Sequence, residues 1–231
     1  MTLDNETQPA PAAPNRHWIG YIAPMTIFML FTALVEPHFR SQFVPLYALK
    51  IVLVCASLFA FRYTWRDMRF DARVLPLALL VGALVFVEWI VVDKHTLHFA
   101  IQGTRTAIDP YHDIAAGWAR ALFFGSRFFG LVVVVPIMEE LFWRSFLWRY
   151  FTDPDRWENL PLGQYIPSAF WFVVFGFALA HPEWLAAIIC AAAYGWLLLR
   201  TKSLTACIAA HGLTNLLLGI YVIITKQWIY W

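Results

Sequence analysis

The chain has 231 residues, of which 61% are hydrophobic and 14% are charged, and its mean hydropathy is +0.60. This composition is too apolar for a water-soluble domain, so it excludes that class and indicates an integral membrane protein. The formal net charge of +2 gives no reason to expect a nucleic-acid partner.

Apolar windows along the chain predict the membrane spans, because a helix needs about 20 apolar residues to cross ~30 Å of hydrocarbon. Residues 1–17 are polar and proline-rich, which predicts a disordered tail instead of a cleavable signal peptide. Residues 18–231 are expected to form one transmembrane domain, with spans over Trp18–Val35, Phe43–Phe61, Val74–Val92, Gly125–Trp148, Tyr165–Ala180, Trp184–Leu199 and Leu204–Thr225. The expected fold class is all-α, a polytopic transmembrane helical bundle of seven spans, or of eight if Ile114–Phe124 forms a short helix of its own.

Arginine and lysine are unevenly distributed between the loops. They concentrate after the second, fourth and sixth spans, at Arg62, Arg66, Arg69, Arg73, Arg149, Arg156, Arg200 and Lys202. Because cytoplasmic loops carry an excess of positive charge, the amino terminus is expected on the inside. The short, tryptophan-rich chain favours a bacterial inner (cytoplasmic) membrane as its location.

Three groups of residues are expected to be structural. The cysteines lie in apolar spans without metal or disulfide spacing and are expected to pack in the core; they are Cys55, Cys190 and Cys207. The polar segment Asp93–Asp113 carries histidines without a zinc spacing and is expected to be a solvated loop. Tryptophans near span ends are expected to anchor the interface, namely Trp18, Trp89, Trp228 and Trp231.

Two adjacent carboxylates interrupt the fourth window. Glu139 and Glu140 lie between Arg127 and Arg149, which are expected to flank a membrane-crossing helix, so both acids fall near its middle. Glu140 and Arg144 are four residues apart with the acid first, the favourable order for an ion pair on one helical face. Glu139 points about 100° away and is therefore expected to remain available for chemistry. The alternative is a shorter span with both glutamates hydrated at its end.

Two histidines and an asparagine follow in later spans. His211 and Asn215 share one helical face, and His211 lies about 12 Å into its span. His181 ends the span that contains Phe177, and Pro182 follows it. The two spans around this turn have sixteen residues each, so they reach only about 24 Å. The turn is therefore expected to lie below the membrane surface, lining a polar cavity.

These residue types fit the hydrolysis of a peptide bond. A carboxylate in a pocket of low dielectric can take a proton from water beside an imidazole, and histidine and asparagine donors can stabilise an oxyanion. The sequence contains no HExxH or GxSxG motif. The residues alone leave open zinc bound by Glu139, His181 and His211, a proton-coupled transporter, and a b-type cytochrome with two histidine axial ligands.

Three motifs occur in order on separate spans: Glu139-Glu140-x-x-x-Arg144, Phe177-x-x-x-His181 and His211-x-x-x-Asn215. They resemble the motifs of the CAAX protease and bacteriocin-processing enzyme family, also called the abortive-infection family. The resemblance covers about residues 127–225 and leaves the first three spans without a motif. Within that family, the candidate subgroup for this chain is the CAAX protease-related subset found in exosortase-type sorting systems.

The resemblance implies an intramembrane, metal-independent glutamate endopeptidase without a cofactor. Its substrate is expected to be a membrane-associated or lipidated peptide or protein, cleaved near its end within the bilayer. The resemblance assigns Glu139 and His181 to water activation, and His211 and Asn215 to the oxyanion. Supporting roles fall to Glu140, Arg144 and Phe177. Prenylation of the substrate does not follow, and a non-catalytic immunity or sorting protein on the same scaffold is the remaining alternative.

Overall fold

The computed structural model describes residues 17–35, 38–96 and 107–230, and these ranges contain helices without strands. The main helices are α1 (Ile19–Val35), α2 (Phe43–Ala60), α3 (Leu75–His95), α4 (Trp118–Thr152), α5 (Pro167–Leu179), α6 (Trp184–Thr201) and α7 (Leu204–Thr225). They correspond one to one with the seven predicted windows, and the all-α prediction is confirmed. The predicted tail and the centre of the predicted Asp93–Asp113 loop, residues 1–16 and 97–106, lie outside the described residues.

The helices have the length and composition of membrane spans. Among the described residues, five are long and apolar enough to cross a membrane: α2, α3 with its preceding turn, α4, α6 and α7. α1 and α5 are shorter apolar helices. On α3, the exposed side chains of Leu80, Leu84 and Val87 form an outward apolar stripe suited to contact with lipid. The protein is therefore an integral membrane protein, as its composition predicts.

The fourth helix is longer than predicted. It runs for 35 residues from Trp118 to Thr152, so the helical part of Ile114–Phe124 is the start of α4 and not a separate eighth helix. Two π-helical segments, Gly130–Val134 and Leu141–Leu147, bracket its central turn Val135–Glu140. Such wide turns often occur at functional sites. Here they lie on both sides of the acidic pair.

Arg149, which was expected to flank the fourth span, lies in its last turn and is held by other protein groups. Its side chain is buried, and its Nη2 lies 2.6 Å from the Oδ2 of Asp67. The same Oδ2 accepts hydrogen bonds from the hydroxyls of Tyr21, at 2.7 Å, and Ser145, at 2.6 Å. Because Asp67 lies in the connection between α2 and α3, this cluster fastens that connection to α1 and to the end of α4.

The expected interfacial tryptophans divide into two groups. Trp18 is exposed, as expected for an anchor, whereas Trp89 and Trp228 are buried, so the anchoring prediction is wrong for those two. Trp228 packs in a second apolar cluster with Phe123, and Trp89 contacts His181. Trp231 lies outside the described residues. Cys190 and Cys207 are buried and unbridged, which confirms their predicted packing role.

Two glycines set the position of α7, which packs against α3 and α4. A Cβ atom at Gly82 of α3 would collide with the backbone carbonyl of Ala210. A Cβ atom at Gly212 would lie 2.8 Å from the carbonyl oxygen of Val132, inside the first π-helical segment of α4. These close approaches bring the face of α7 that carries His211 up to the acidic turn of α4.

Candidate active site

A cavity of about 1230 Å³ opens between the helices. Its wall includes five of the seven motif residues: Glu139, Phe177, His181, His211 and Asn215. They come from α4, α5, α7 and the turn that follows α5. The structure therefore brings residues that are distant in sequence to one space, while the roles that the resemblance assigns to them remain predictions.

Glu139 is buried on the cavity wall. Its side chain is 6% exposed, and within the described residues its Oε2 has no hydrogen-bond partner. The structure therefore contradicts the alternative in which both glutamates are hydrated at the end of a shorter span. A buried carboxylate without a protein partner is costly, so its natural partner is a molecule that enters the cavity.

Glu140 is the structural centre of the site. Arg144 Nη1 lies 3.2 Å from its Oε1, so the predicted ion pair is confirmed, and both side chains are fully buried. The same oxygen accepts a hydrogen bond from Nδ1 of His211 at 2.9 Å, a contact that spans 71 residues. One carboxylate thus fixes the arginine of its own helix and the imidazole of α7.

The contacts of Phe177 explain why the second motif begins with an aromatic residue. Its ring stacks on the imidazole of His181, with ring centres 4.3 Å apart. The guanidinium of Arg144 lies 4.6 Å from the same ring centre, a cation–π contact. The ring of His211 meets Phe177 edge-on at 6.5 Å. Phe177 therefore supports both imidazoles and the buried cation.

His181 occupies the turn between α5 and α6. Its Nδ1 donates to the carbonyl oxygen of Phe177 at 2.8 Å, which makes Nε2 the basic nitrogen of the neutral ring. Trp89 contacts the imidazole edge-on, with ring centres 5.8 Å apart. α5 has 13 residues and rises only about 20 Å, so the turn can face the cavity instead of the membrane surface.

Asn215 is fixed by the backbone of α4. Its Nδ2 donates to the carbonyl oxygen of Leu131 at 2.8 Å, within the π-helical segment Gly130–Val134. An amide nitrogen carries two hydrogens, so one N–H remains for a ligand at the cavity wall. Leu131 could not have been identified from the sequence, since a main-chain acceptor leaves no residue signature.

Sequence reasoning missed the supports behind the motifs. Tyr194 donates to the hydroxyl of Thr214 at 2.7 Å, and Thr214 donates to the carbonyl oxygen of Gly82 at 2.7 Å, which ties α6, α7 and α3 together. Glu88 of α3 was also missed, although a carboxylate in a predicted span is a visible signal. Within the described residues, neither of its buried oxygens has a hydrogen-bond partner.

The zinc alternative requires at least three ligand side chains that converge on one point. In residues 17–35, 38–96 and 107–230, no three histidine, cysteine or acidic side chains are arranged to hold a metal ion. The set Glu139, His181 and His211 therefore forms no ready-made metal site in this arrangement. Nδ1 of His211 donates to Glu140, so Nε2 is the ring nitrogen that a ligand in the cavity would contact.

Residues 118–217 match the family model described as type II CAAX prenyl endopeptidase Rce1-like. The matched range begins at the first residue of α4, ends in α7 and contains all seven motif residues. No curated protein and no solved structure matches the chain. The family resemblance that the three motifs predicted is confirmed over this range.

Proposed function

Because residues 118–217 carry an Rce1-like domain of the CAAX protease family, we propose that the protein is an intramembrane endopeptidase with water as its nucleophile. The observation that carries this proposal is the Glu139 carboxylate, which faces a cavity shared with two imidazoles and an amide. The substrate is a membrane-associated peptide or protein, cleaved near its end.

In the proposed reaction, Glu139 and His181 bind one water molecule. Glu139 accepts a proton as the water oxygen attacks the scissile carbonyl carbon, which gives a tetrahedral oxyanion. The carbon–nitrogen bond then breaks, and the proton held by Glu139 passes to the leaving amine. Water is consumed, one carboxylate and one amine are formed, and the glutamate returns to its starting state.

The oxyanion is stabilised by His211 and Asn215 in this proposal. Because Glu140 accepts from Nδ1 of His211, the Nε2 edge of the ring is directed away from the carboxylate. In its protonated form that edge carries a hydrogen and can donate to the oxyanion. The Leu131 carbonyl holds the amide of Asn215 in a fixed position. Preorganised donors of this kind typically contribute about 10²–10³-fold to the rate.

Turnover of a peptide by purified protein tests the proposal. The first probe is an S-farnesylated peptide whose modified cysteine precedes three aliphatic residues, because the matched family is a CAAX prenyl endopeptidase. An unmodified peptide of the same sequence tests whether the lipid is needed. We expect Glu139→Gln to abolish cleavage while the protein stays folded, because glutamine keeps the size of the side chain and loses its basicity.

Glu158→Gln is the matched control, since Glu158 lies in the turn Trp157–Asn159 and is absent from the cavity wall. Full turnover by the Glu139 variant would reject the mechanism. A haem absorption band in the purified protein, or proton flux without hydrolysis in liposomes, would favour the cytochrome or transporter alternative.

A further inference from the structure

One face of α4 forms a continuous wall of the cavity. Phe123, Arg127, Leu131, Val135 and Glu139 recur at every fourth residue, and all five line the cavity. Arg127 and Glu139 are therefore about 18 Å apart along the helix axis, at a rise of ~1.5 Å per residue. The intervening wall is apolar.

Arg127 places a positive charge at the far end of this wall. Its guanidinium lies 4.8 Å from the centre of the Tyr47 ring. Within the described residues, its buried Nε has no hydrogen-bond partner, and its guanidinium forms no ion pair. A cation held in this way retains its capacity to bind an anion.

Lys50 of α2 adds a second positive charge. Its Nζ lies 4.5 Å from the centre of the same Tyr47 ring and donates to the hydroxyl of Thr32 at 3.1 Å. Lys50 and Arg127 both line the cavity. Two basic side chains therefore lie beside the same aromatic ring at this end of the cavity.

Asp113 also lines the cavity, but other groups engage its carboxylate. Nδ1 of His112 and the backbone N–H of Asp109 lie 2.8 Å from its oxygens. These hydrogen bonds, that of His112 first, hold the pKa of Asp113 below its usual value. Asp113 is therefore engaged by its own loop and, among the described residues, forms no ion pair with Arg127.

We propose that Arg127, supported by Lys50, binds the carboxylate at the carboxyl terminus of the peptide substrate. This inference rests on the proposed function, which places the scissile bond at Glu139. A guanidinium fork matches a carboxylate, and extended peptide spans ~3.3–3.6 Å per residue. A separation of about 18 Å holds about five residues, and fewer when both side chains reach inward. Leu131 and Val135 provide apolar contacts for the side chains between the two ends.

An anionic lipid headgroup is the competing occupant of a basic site in a membrane protein. The uninterrupted wall from Arg127 to Glu139 favours the peptide, because one chain can touch both ends of the cavity. The proposal therefore predicts that the effect of Arg127 on cleavage depends on the carboxyl-terminal group of the peptide. A lipid site predicts that this effect depends on the anionic lipid content of the bilayer.

Paired peptides separate these outcomes. Each probe peptide is synthesised with a carboxyl-terminal acid and as the amide, and both forms are cleaved in nanodiscs of phosphatidylcholine with and without phosphatidylglycerol. For the parent protein we expect kcat/KM to favour the acid by about 10- to 100-fold, the scale of a charge-assisted hydrogen bond of about 1.5–3 kcal/mol. Arg127→Gln should reduce that ratio to about one, and Arg127→Lys should retain part of it.

Arg156→Gln is the control, because Arg156 is exposed and pairs with Asp153. An equal preference for acid and amide in the parent, or an Arg127→Gln effect that appears only with phosphatidylglycerol, would overturn the proposal. Binding of a fluorescent peptide pair to the Glu139→Gln variant separates this inference from the enzyme assignment. Arg127-dependent preference for the acid, without cleavage by the parent protein, would keep the carboxylate site and reject the hydrolase.

Discussion

Nδ1 of His211 donates to Oε1 of Glu140 at 2.9 Å, so the second glutamate of the acidic pair holds an imidazole from a distant helix. The two carboxylates therefore differ in their surroundings. Glu140 is engaged by His211 and Arg144, whereas Glu139 faces the cavity. A histidine that receives such support keeps one ring orientation.

Replacement of Glu140 tests this relationship. We expect Glu140→Gln to lower kcat by about 10- to 100-fold, the range known for carboxylates that orient metal-bound histidines, because the same kind of hydrogen bond is lost here. The KM should change less, because Glu140 is absent from the cavity wall. Steady-state kinetics on the probe peptide measure both constants, with Glu158→Gln as the matched control. Unchanged kcat would show that His211 needs no carboxylate.

The positions of the helices follow largely from local sequence. The window predicted for α7, Leu204–Thr225, is identical to the helix in the structure, because its ends carry local signals. Ser203 caps the first turn by accepting from the N–H of Ala206, and Lys226 ends the helix in the left-handed conformation. The Glu140–Arg144 pair was predictable for the same reason, since four residues separate its members.

Contacts between distant segments could not be predicted in this way. Asp67 and Arg149 are 82 residues apart, and nothing in either local sequence indicates that they meet. The length of α4 was underestimated because Arg120 and Arg127 interrupt its apolar pattern. The structure shows that Arg120 donates to the carbonyl of Ile114 and that Arg127 faces the cavity, so a helix tolerates both.

Loss of Arg144 should destabilise the fold more than it alters the cavity. Arg144→Ala leaves Glu140 buried without its cation, and removal of one partner of a buried pair costs about 3–5 kcal/mol of unfolding free energy. The double variant Glu140→Gln with Arg144→Met removes both charges and should recover part of that loss. Unfolding in a titration of denaturing detergent measures each variant. Equal stability of Arg144→Ala and the parent would contradict the prediction.

The Asp67 cluster should contribute to stability without a direct effect on catalysis. Arg149→Met breaks a buried ion pair at 2.6 Å and should lower the unfolding free energy by about 3 kcal/mol. Arg156→Met, which breaks the exposed pair with Asp153, should change it by less than about 1 kcal/mol. Turnover per folded molecule should be retained in both, because neither arginine lines the cavity. Lost turnover in folded Arg149→Met would assign this cluster a role in the reaction.

Metal removal distinguishes water activation by Glu139 and His181 from water activation by a bound zinc ion. The proposed mechanism uses Glu139 and His181 alone, so exhaustive treatment with a strong chelator should leave kcat within about twofold of its starting value. A metal-dependent enzyme would lose turnover and regain it when zinc is restored, because the metal would supply the activated water. Metal analysis of the dialysed protein is the accompanying measurement, and recovery by added zinc would favour the set Glu139, His181 and His211.

Glu88 provides a contrast with Glu139, because both are membrane carboxylates but only Glu139 lines the cavity. Within the described residues, both oxygens of Glu88 are buried without hydrogen-bond partners, a condition that costs about 1–3 kcal/mol. We therefore expect Glu88→Leu to raise the unfolding free energy by about 1 kcal/mol or more and to retain turnover. Glu88→Gln keeps an unpaired polar group at the same position and should gain less. If Glu88→Leu instead folds well and loses turnover, Glu88 takes part in the reaction. Glu139 of α4 would then not be the only carboxylate that the reaction requires besides Glu140.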